Sequence, residues 1–284
     1  MNKWLLILGV VVIAVGLYFI FFFQPTLSKT VTAHRGMSAA GRAFRQVSQW
    51  DAWWPGTAGC SYQVKGVYYN EVRLELSCTD KGRLSGAIKI APLNGDSVLV
   101  AWEGSGPGRW KDEVDTILGS FKDYVEHAKR LYGVDFFRTM SNDSTLITMT
   151  SITATYPSMG EVYARIDTLR SFAARHGAMA IDSPWLNVAK VSEGQFKWSV
   201  AIPVNKWIEK EGRVIPRRFV PYKNLEGEVH GGVYTAEKAL QQMQLFKVDY
   251  NIQIMGLPFQ CLKTDRRLEP DTTKWVTMVC APIS

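Results

Sequence analysis

The second half of this chain runs twice through the same order of elements. From about Val134, a strand-like run STLITMTSITATYP precedes a helical stretch SMGEVYARIDTLRSFAARHG, and two more strand-like runs follow, WLNVAKVS and KWSVAIPV. The order recurs as LEGEVHGGVY, TAEKALQQMQLFKVDYNI, FQCLKTDR and KWVTMVCAPI. The closing strands share local text. Lys197-Trp198 leads to Ala201-Ile202-Pro203-Val204, and Lys274-Trp275 leads to Ala281-Pro282-Ile283. An internal duplication of β-α-β-β predicts a pseudo-twofold domain over 134–284. Such a domain has one sheet with both helices on one face, and the other face is left as a concave surface.

The part before the repeat has a different rhythm. KTVTAHRGMS reads as a strand, AAGRAFRQVSQWDAWWPG as a short helix ending in a Trp-rich turn, and four β-rich runs follow between Cys60 and Gly104. Val114, Ile117, Leu118, Phe121, Val125, Ala128 and Leu131 then fall at i, i+3, i+4 spacing. That stripe predicts one long amphipathic helix from about Trp110 to Tyr132, ended by Gly133. The expectation for 29–133 is an α+β domain with the helix laid across a curved sheet.

The first segment is apolar throughout. Trp4 to Phe23 carry no charge over roughly the 20 residues that a bilayer core requires. The run ends in bulky Phe21, Phe22 and Phe23 rather than at a small-residue cleavage site, so residues 1–28 read as an uncleaved signal anchor and short linker. Basic residues flank both sides (Lys3 before, Lys29, Arg35 and Arg42 after), and the charge bias leaves the orientation open. The net charge of +7 is spread thinly. RVIPRRF and KTDRR are diluted by apolar residues, and neither zinc-finger spacing nor a helix-turn-helix signature accompanies them, so no nucleic-acid partner is expected.

Residues from Thr30 to Gly133 resemble the helix-grip domains of the START and polyketide-cyclase (SRPBCC) superfamily, on FRQVSQWDAWWPG and ILGSFKDYVEHAKRLYG. Residues from about Val134 to Ser284 resemble the GyrI-like, or effector-binding, domain, on GEVHGGVYTAEKAL, VAIPV and TMVCAPI. The fold class is thus α+β: a transmembrane helix, a helix-grip domain, then the duplicated GyrI-like domain. The second resemblance implies binding of drug-like or cationic molecules in an aromatic-lined cleft between the two halves. In that family an acid in the strand after the second helix often engages the cation. Gln260 stands at that position here, and an amide cannot neutralise a buried cation. The departure points away from cationic ligands and from a cleft-glutamate hydrolase, and towards a neutral or weakly polar hydrophobic ligand.

The candidate ligand-binding residues are Trp185, Trp198, Tyr234 and Phe259, with Glu228, His230 and Gln260 as polar groups. The same aromatics also suit core packing. His34, His127, His176 and His230 are scattered, no nucleophile elbow is present, and GSGPGRWKDE lacks the end of a phosphate loop; neither metal nor cofactor is expected. Cys60 with Cys78, and Cys261 with Cys280, sit symmetrically about predicted hairpin turns. Two disulfides, or four small buried hydrophobes, both fit that spacing. Disulfides would put the domains outside the cytoplasm, on the periplasmic side of an inner-membrane anchor. The functional expectation is a membrane-anchored sensor, carrier or accessory subunit. A hydrolase of a small hydrophobic substrate, or a scaffold recruiting another envelope protein, are the alternatives.

Overall fold

A computed structural model describes residues 26–56, 59–106, 108–141, 144–219 and 222–284. The expected transmembrane run, residues 4–23, lies outside the described residues. Among those described, no helix is long and apolar enough to cross a membrane. The chain divides into two compact units, Met1–Leu131 and Tyr132–Ser284.

In the first unit, β1 (Thr26–Ala33), α1 (Met37–Arg45), β2 (Cys60–Val67), β3 (Glu71–Cys78), β4 (Gly82–Asn94) and β5 (Ser97–Ser105) precede α2 (Lys111–Glu126). The five strands form an antiparallel sheet in the order β1-β5-β4-β3-β2. The predicted long helix breaks at His127, whose extended backbone separates α2 from the short α3 (Ala128–Tyr132). Its apolar stripe holds, with Val114, Ile117, Leu118, Phe121 and Val125 all buried. Indoles fill the interior. Trp50, Trp102 and Trp110 are fully enclosed, and Trp53 nearly so. Gly86 makes room for one of them, because a Cβ there would come within 2.5 Å of the Trp102 ring.

The second unit contains β6 (Phe136–Met140), β7 (Ser144–Thr153), α4 (Met159–Arg175), β8 (Trp185–Ser192), β9 (Gln195–Val204), β10 (Ile215–Phe219), β11 (Lys223–His230), α5 (Val233–Asp249), β12 (Phe259–Leu262) and β13 (Val276–Ile283). All eight strands join one antiparallel sheet in the order β10-β7-β9-β8-β12-β13-β11-β6. The duplication is explicit in that order. β7-β9-β8 is mirrored as β11-β13-β12, and the pseudo-twofold passes between β8 and β12. The extra strands exchange edges: β6, which leads into the first repeat, pairs with the second, and β10 does the reverse.

Register divides the side chains into two sets, because successive residues of a strand point to opposite faces. Ile147, Met149, Leu186, Trp198, Val200, Ile202, Val204 and Leu262 pack under α4 with Val162, Ile166, Leu169 and Phe172. On the same face Phe136 reaches Phe246 of α5, ring centroids 5.1 Å apart, across a Gly227 whose Cβ would collide with it. The opposite face carries Thr148, Ala201, Trp185, Phe259, Cys261, Met278, Cys280 and Glu226, as the pairing of Thr148 with Ala201, Ala201 with Trp185, Trp185 with Cys261 and Glu226 with Cys280 requires.

Candidate functional site

The side of the sheet away from the helices holds two cavities that share an aromatic wall. Trp185 of β8 and Phe259 of β12 stack at 4.3 Å with their planes 19° apart, and both rings line both cavities. Neighbouring central strands bring them together: β8 and β12 pair through Leu186 with Gln260 and Trp185 with Cys261, at the join of the two repeats.

One cavity, of about 380 Å³, runs from this pair across β9 and β7 to Arg217 on β10, with Leu257 and Pro282 completing its apolar lining. Its polar groups are mostly engaged. Thr150 and Ser199 hydrogen-bond each other at 2.8 Å, Thr148 donates to the Ile215 carbonyl, and the Asn187 amide donates to the Pro258 carbonyl at 2.6 Å. Lys197 and Arg217 stand exposed at its rim, and neither enters an ion pair among the described residues. The lining includes no carboxylate. Burial pushes the Tyr222 hydroxyl's pKa up, so Tyr222 meets this cavity as a neutral phenol.

The other cavity, of about 350 Å³, is built from Phe259, Cys261, Met278 and Cys280 with Asp182, Glu226 and Lys263. Lys263 and Asp182 form an ion pair at 3.2 Å. Burial opposes the Lys263 charge, but its hydrogen bond to Asp182 and the charge there outweigh it and hold its pKa above the usual lysine value. Cys261 and Cys280 are buried thiols with sulfurs 3.8 Å apart. The contact with Cys261, and then burial, push the Cys280 thiol's pKa well up.

Of the residues picked from sequence, the structure brings Trp185 and Phe259 together and separates the rest. Trp198 and Gln260 lie on the helix-covered face, 2% and 1% exposed, and line neither of these cavities. Phe259 and Gln260 are adjacent in one strand, and alternation forbids both from facing one cavity. Gln260 instead neighbours Tyr156, whose pKa burial raises to about 12, and among the described residues its Oε1 has no hydrogen-bond partner. Tyr234, 76% exposed, opens α5 and points away from the packed interior. Glu228 and His230 share a face as expected, but they pair with each other at 3.0 Å on the surface. Glu161 caps α4 through Ser158. Sequence reasoning missed Lys197, Arg217, Asp182, Glu226 and Met278. The signal was available for the central strands, since Met278, like Cys280, follows from Trp185 and Phe259 by period two and register.

The cysteines part company. Cys60 and Cys78 stand directly opposite on β2 and β3 and form a disulfide. Cys261 and Cys280 do not face each other as the symmetric hairpin requires. Cys261 opposes Met278, and Cys280 opposes Phe259. The connection between β12 and β13 contains a 3-10 turn at Thr272–Lys274, and pairing there is centred one residue earlier than equal spacing predicts. In the first unit, the cavity between Trp54, Trp110, Glu113 and the disulfide measures about 10 Å³, room for about one water.

No family model matches the chain, and no curated protein matches it. Solved structures do. A cryo-EM structure of an EcmrR–DNA complex is similar at a TM-score of 0.49 and 14% identity, covering 62% of this chain and 67% of that one. The crystal structure of the EcmrR C-terminal domain gives 0.45 and 12%, over 53% of this chain and 98% of that one. A hydrolase from Listeria innocua gives 0.40 and 11%, over 53% and 92%. None of these reaches a TM-score of 0.5, and the function proposed below rests on this chain's own residues.

Proposed function

We propose that the second unit is a small-molecule-binding module, and that its ligand is an apolar molecule of neutral or weakly polar character held against Trp185 and Phe259. The carrying observation is the stacked pair itself. Two aromatic rings from adjacent central strands wall a cavity of about 380 Å³ whose lining offers cations but no carboxylate. A cavity of that size with aromatic walls and few polar groups suits a small organic ligand. An organic cation would meet Lys197 and Arg217 without a compensating acid, and desolvating it there is unfavourable.

The role fits a sensor, carrier or accessory subunit rather than a hydrolase, because the lining of this cavity offers no carboxylate to activate a water. For the first unit we favour a scaffold, since tryptophans occupy the interior where a ligand would sit. We read residues 4–23 as the anchor and the units as periplasmic, in keeping with the Cys60–Cys78 disulfide. An alkaline phosphatase fused after Ser284 is expected to be active in cells; an inactive but stable fusion would reverse that topology.

The ligand class is tested on the purified full chain with three fluorescent or tritiated probes: neutral 1-aminoanthracene, anionic anilinonaphthalene sulfonate and cationic tetraphenylphosphonium. The first two are expected to bind at least tenfold more tightly than the third. Phe259→Ala and Trp185→Ala are each expected to weaken the neutral probe by tenfold or more, about 1.4 kcal/mol. Tightest binding of the phosphonium, or indifference to both substitutions, would overturn the reading.

A further inference from the structure

The second cavity gathers three sulfur side chains on one patch of sheet. Cys261 is directly opposite Met278, and Cys280 follows Met278 by two residues on the same face. All three line the cavity of about 350 Å³. We propose that Cys261, Cys280 and Met278 form a binding site for one soft monovalent metal ion, Cu(I).

The geometry separates this from a disulfide. A bonded pair needs sulfurs at about 2.05 Å and Cα atoms usually within about 6.8 Å. Cys60 and Cys78, directly opposed on paired strands, are bonded. Cys261 and Cys280 are diagonal neighbours, a relation that typically sets residues about 7–8 Å apart. Their sulfurs rest at 3.8 Å. An ion held at about 2.3 Å from each of two sulfurs keeps them about 3.8–4 Å apart, which is the gap already present.

Donor chemistry selects the ion. Thiolate and thioether sulfur prefer Cu(I), and three sulfurs satisfy its low coordination number. Zinc in structural sites takes four donors, with thiolate, imidazole or carboxylate and not thioether, and among the described residues no imidazole or carboxylate gathers with both Cys261 and Cys280 within ligand reach. Binding releases two protons: the thiols give up S–H, the ion takes both thiolates, and the Met278 thioether coordinates without proton change. The loaded pair carries one net negative charge. Lys263, paired with Asp182, lines the same cavity two residues from Cys261, and Asp182 and Glu226 at that opening favour a cation's approach.

The test uses the full chain, purified without oxidant and handled anaerobically with Cu(I) buffered by bathocuproine disulfonate. One Cu(I) per chain is expected, with X-ray absorption showing only sulfur neighbours. Cys261→Ser and Cys280→Ser are each expected to weaken binding at least a hundredfold, and Met278→Leu about tenfold. The double variant Cys60→Ser/Cys78→Ser is expected to bind as wild type. Variants with unaltered circular dichroism are compared, and Met278→Leu serves as the conservative substitution where the serines fail to fold. No stoichiometric Cu(I), nitrogen or oxygen neighbours only, or full binding by Cys261→Ser would overturn the site. So would recovery of Cys261 and Cys280 as a disulfide from the anaerobic preparation.

Discussion

Trp198 and Tyr234 are both large aromatics of the repeat, and their surroundings assign them opposite weights. Trp198 of β9 is buried in the core beneath α4, in one cluster with Val200, Ile166 and Leu169, whereas Tyr234 is largely exposed. Trp198→Ala is expected to destabilise the second unit by about 3–5 kcal/mol, and Tyr234→Ala by under about 0.5 kcal/mol. Urea unfolding followed by circular dichroism measures both. Equal effects would mean that the assignment of faces is wrong. The same question of phase governed Gln260. Its identity and strand were legible in the sequence, but its face depends on where β12 begins, and in a four-residue strand of uniformly buried residues no hydrophobic alternation marks that phase. Trp185 and Phe259 were legible as candidates, each opening a strand-like run after turn residues, Ser183-Pro184 and Gly256-Leu257-Pro258, but their stacking follows only from the pairing of β8 with β12. Lys197 and Arg217 were not, since an exposed cation acquires meaning only from the cavity behind it.

Elements with strong local signals were the most legible. α4 opens on a full capping box, in which the Ser158 hydroxyl accepts from the Glu161 N–H and the Glu161 carboxylate accepts from the Ser158 N–H. Ser158→Ala is expected to cost about 1 kcal/mol, read as a lowered urea midpoint, and Ser158→Asp to restore most of it. No difference between alanine and aspartate would deny the cap its role. β6 and β10 went unseen for the complementary reason. Each is five residues, FFRTM and IPRRF, too short to display a period. Pro216 also argues against a strand, yet β10 is at the sheet's edge, where a missing donor is tolerated. The break at His127 had no sequence signal either, since the apolar stripe passes through it undisturbed; there the buried Arg35 guanidinium donates to the Val125 and Glu126 carbonyls at 2.7 and 2.8 Å, taking acceptors that a continuing helix would use.

At the scale of the whole molecule the balance of charge sets the response to acid. Arg267 bridges Asp265 and Asp167 at 2.9 and 2.7 Å, and its hydrogen bonds hold the Asp265 carboxyl below its ordinary pKa. The Ser158 hydroxyl and N–H do the same for Glu161, and the Thr273 hydroxyl and N–H for Asp271. All three shifts are downward in the folded state. Each group therefore contributes stability that is fully present above its unfolded value, about 3.9 for Asp and 4.3 for Glu, and that is lost as pH falls through the folded value. Protonation also removes negative charge from a chain that already carries +7, so self-repulsion acts in the same direction. The urea midpoint is expected to fall below about pH 4, and Arg267→Gln to flatten part of that fall by returning Asp265 towards its ordinary value. The expected difference between wild type and Arg267→Gln is largest at neutral pH and shrinks towards pH 2, where both carry protonated carboxyls. A difference that grows as the pH is lowered would have the wrong sign for a depressed carboxylate, and one that stays constant with pH would mean that Arg267 acts through packing on the Tyr163 ring, 4.5 Å from its guanidinium, rather than through charge.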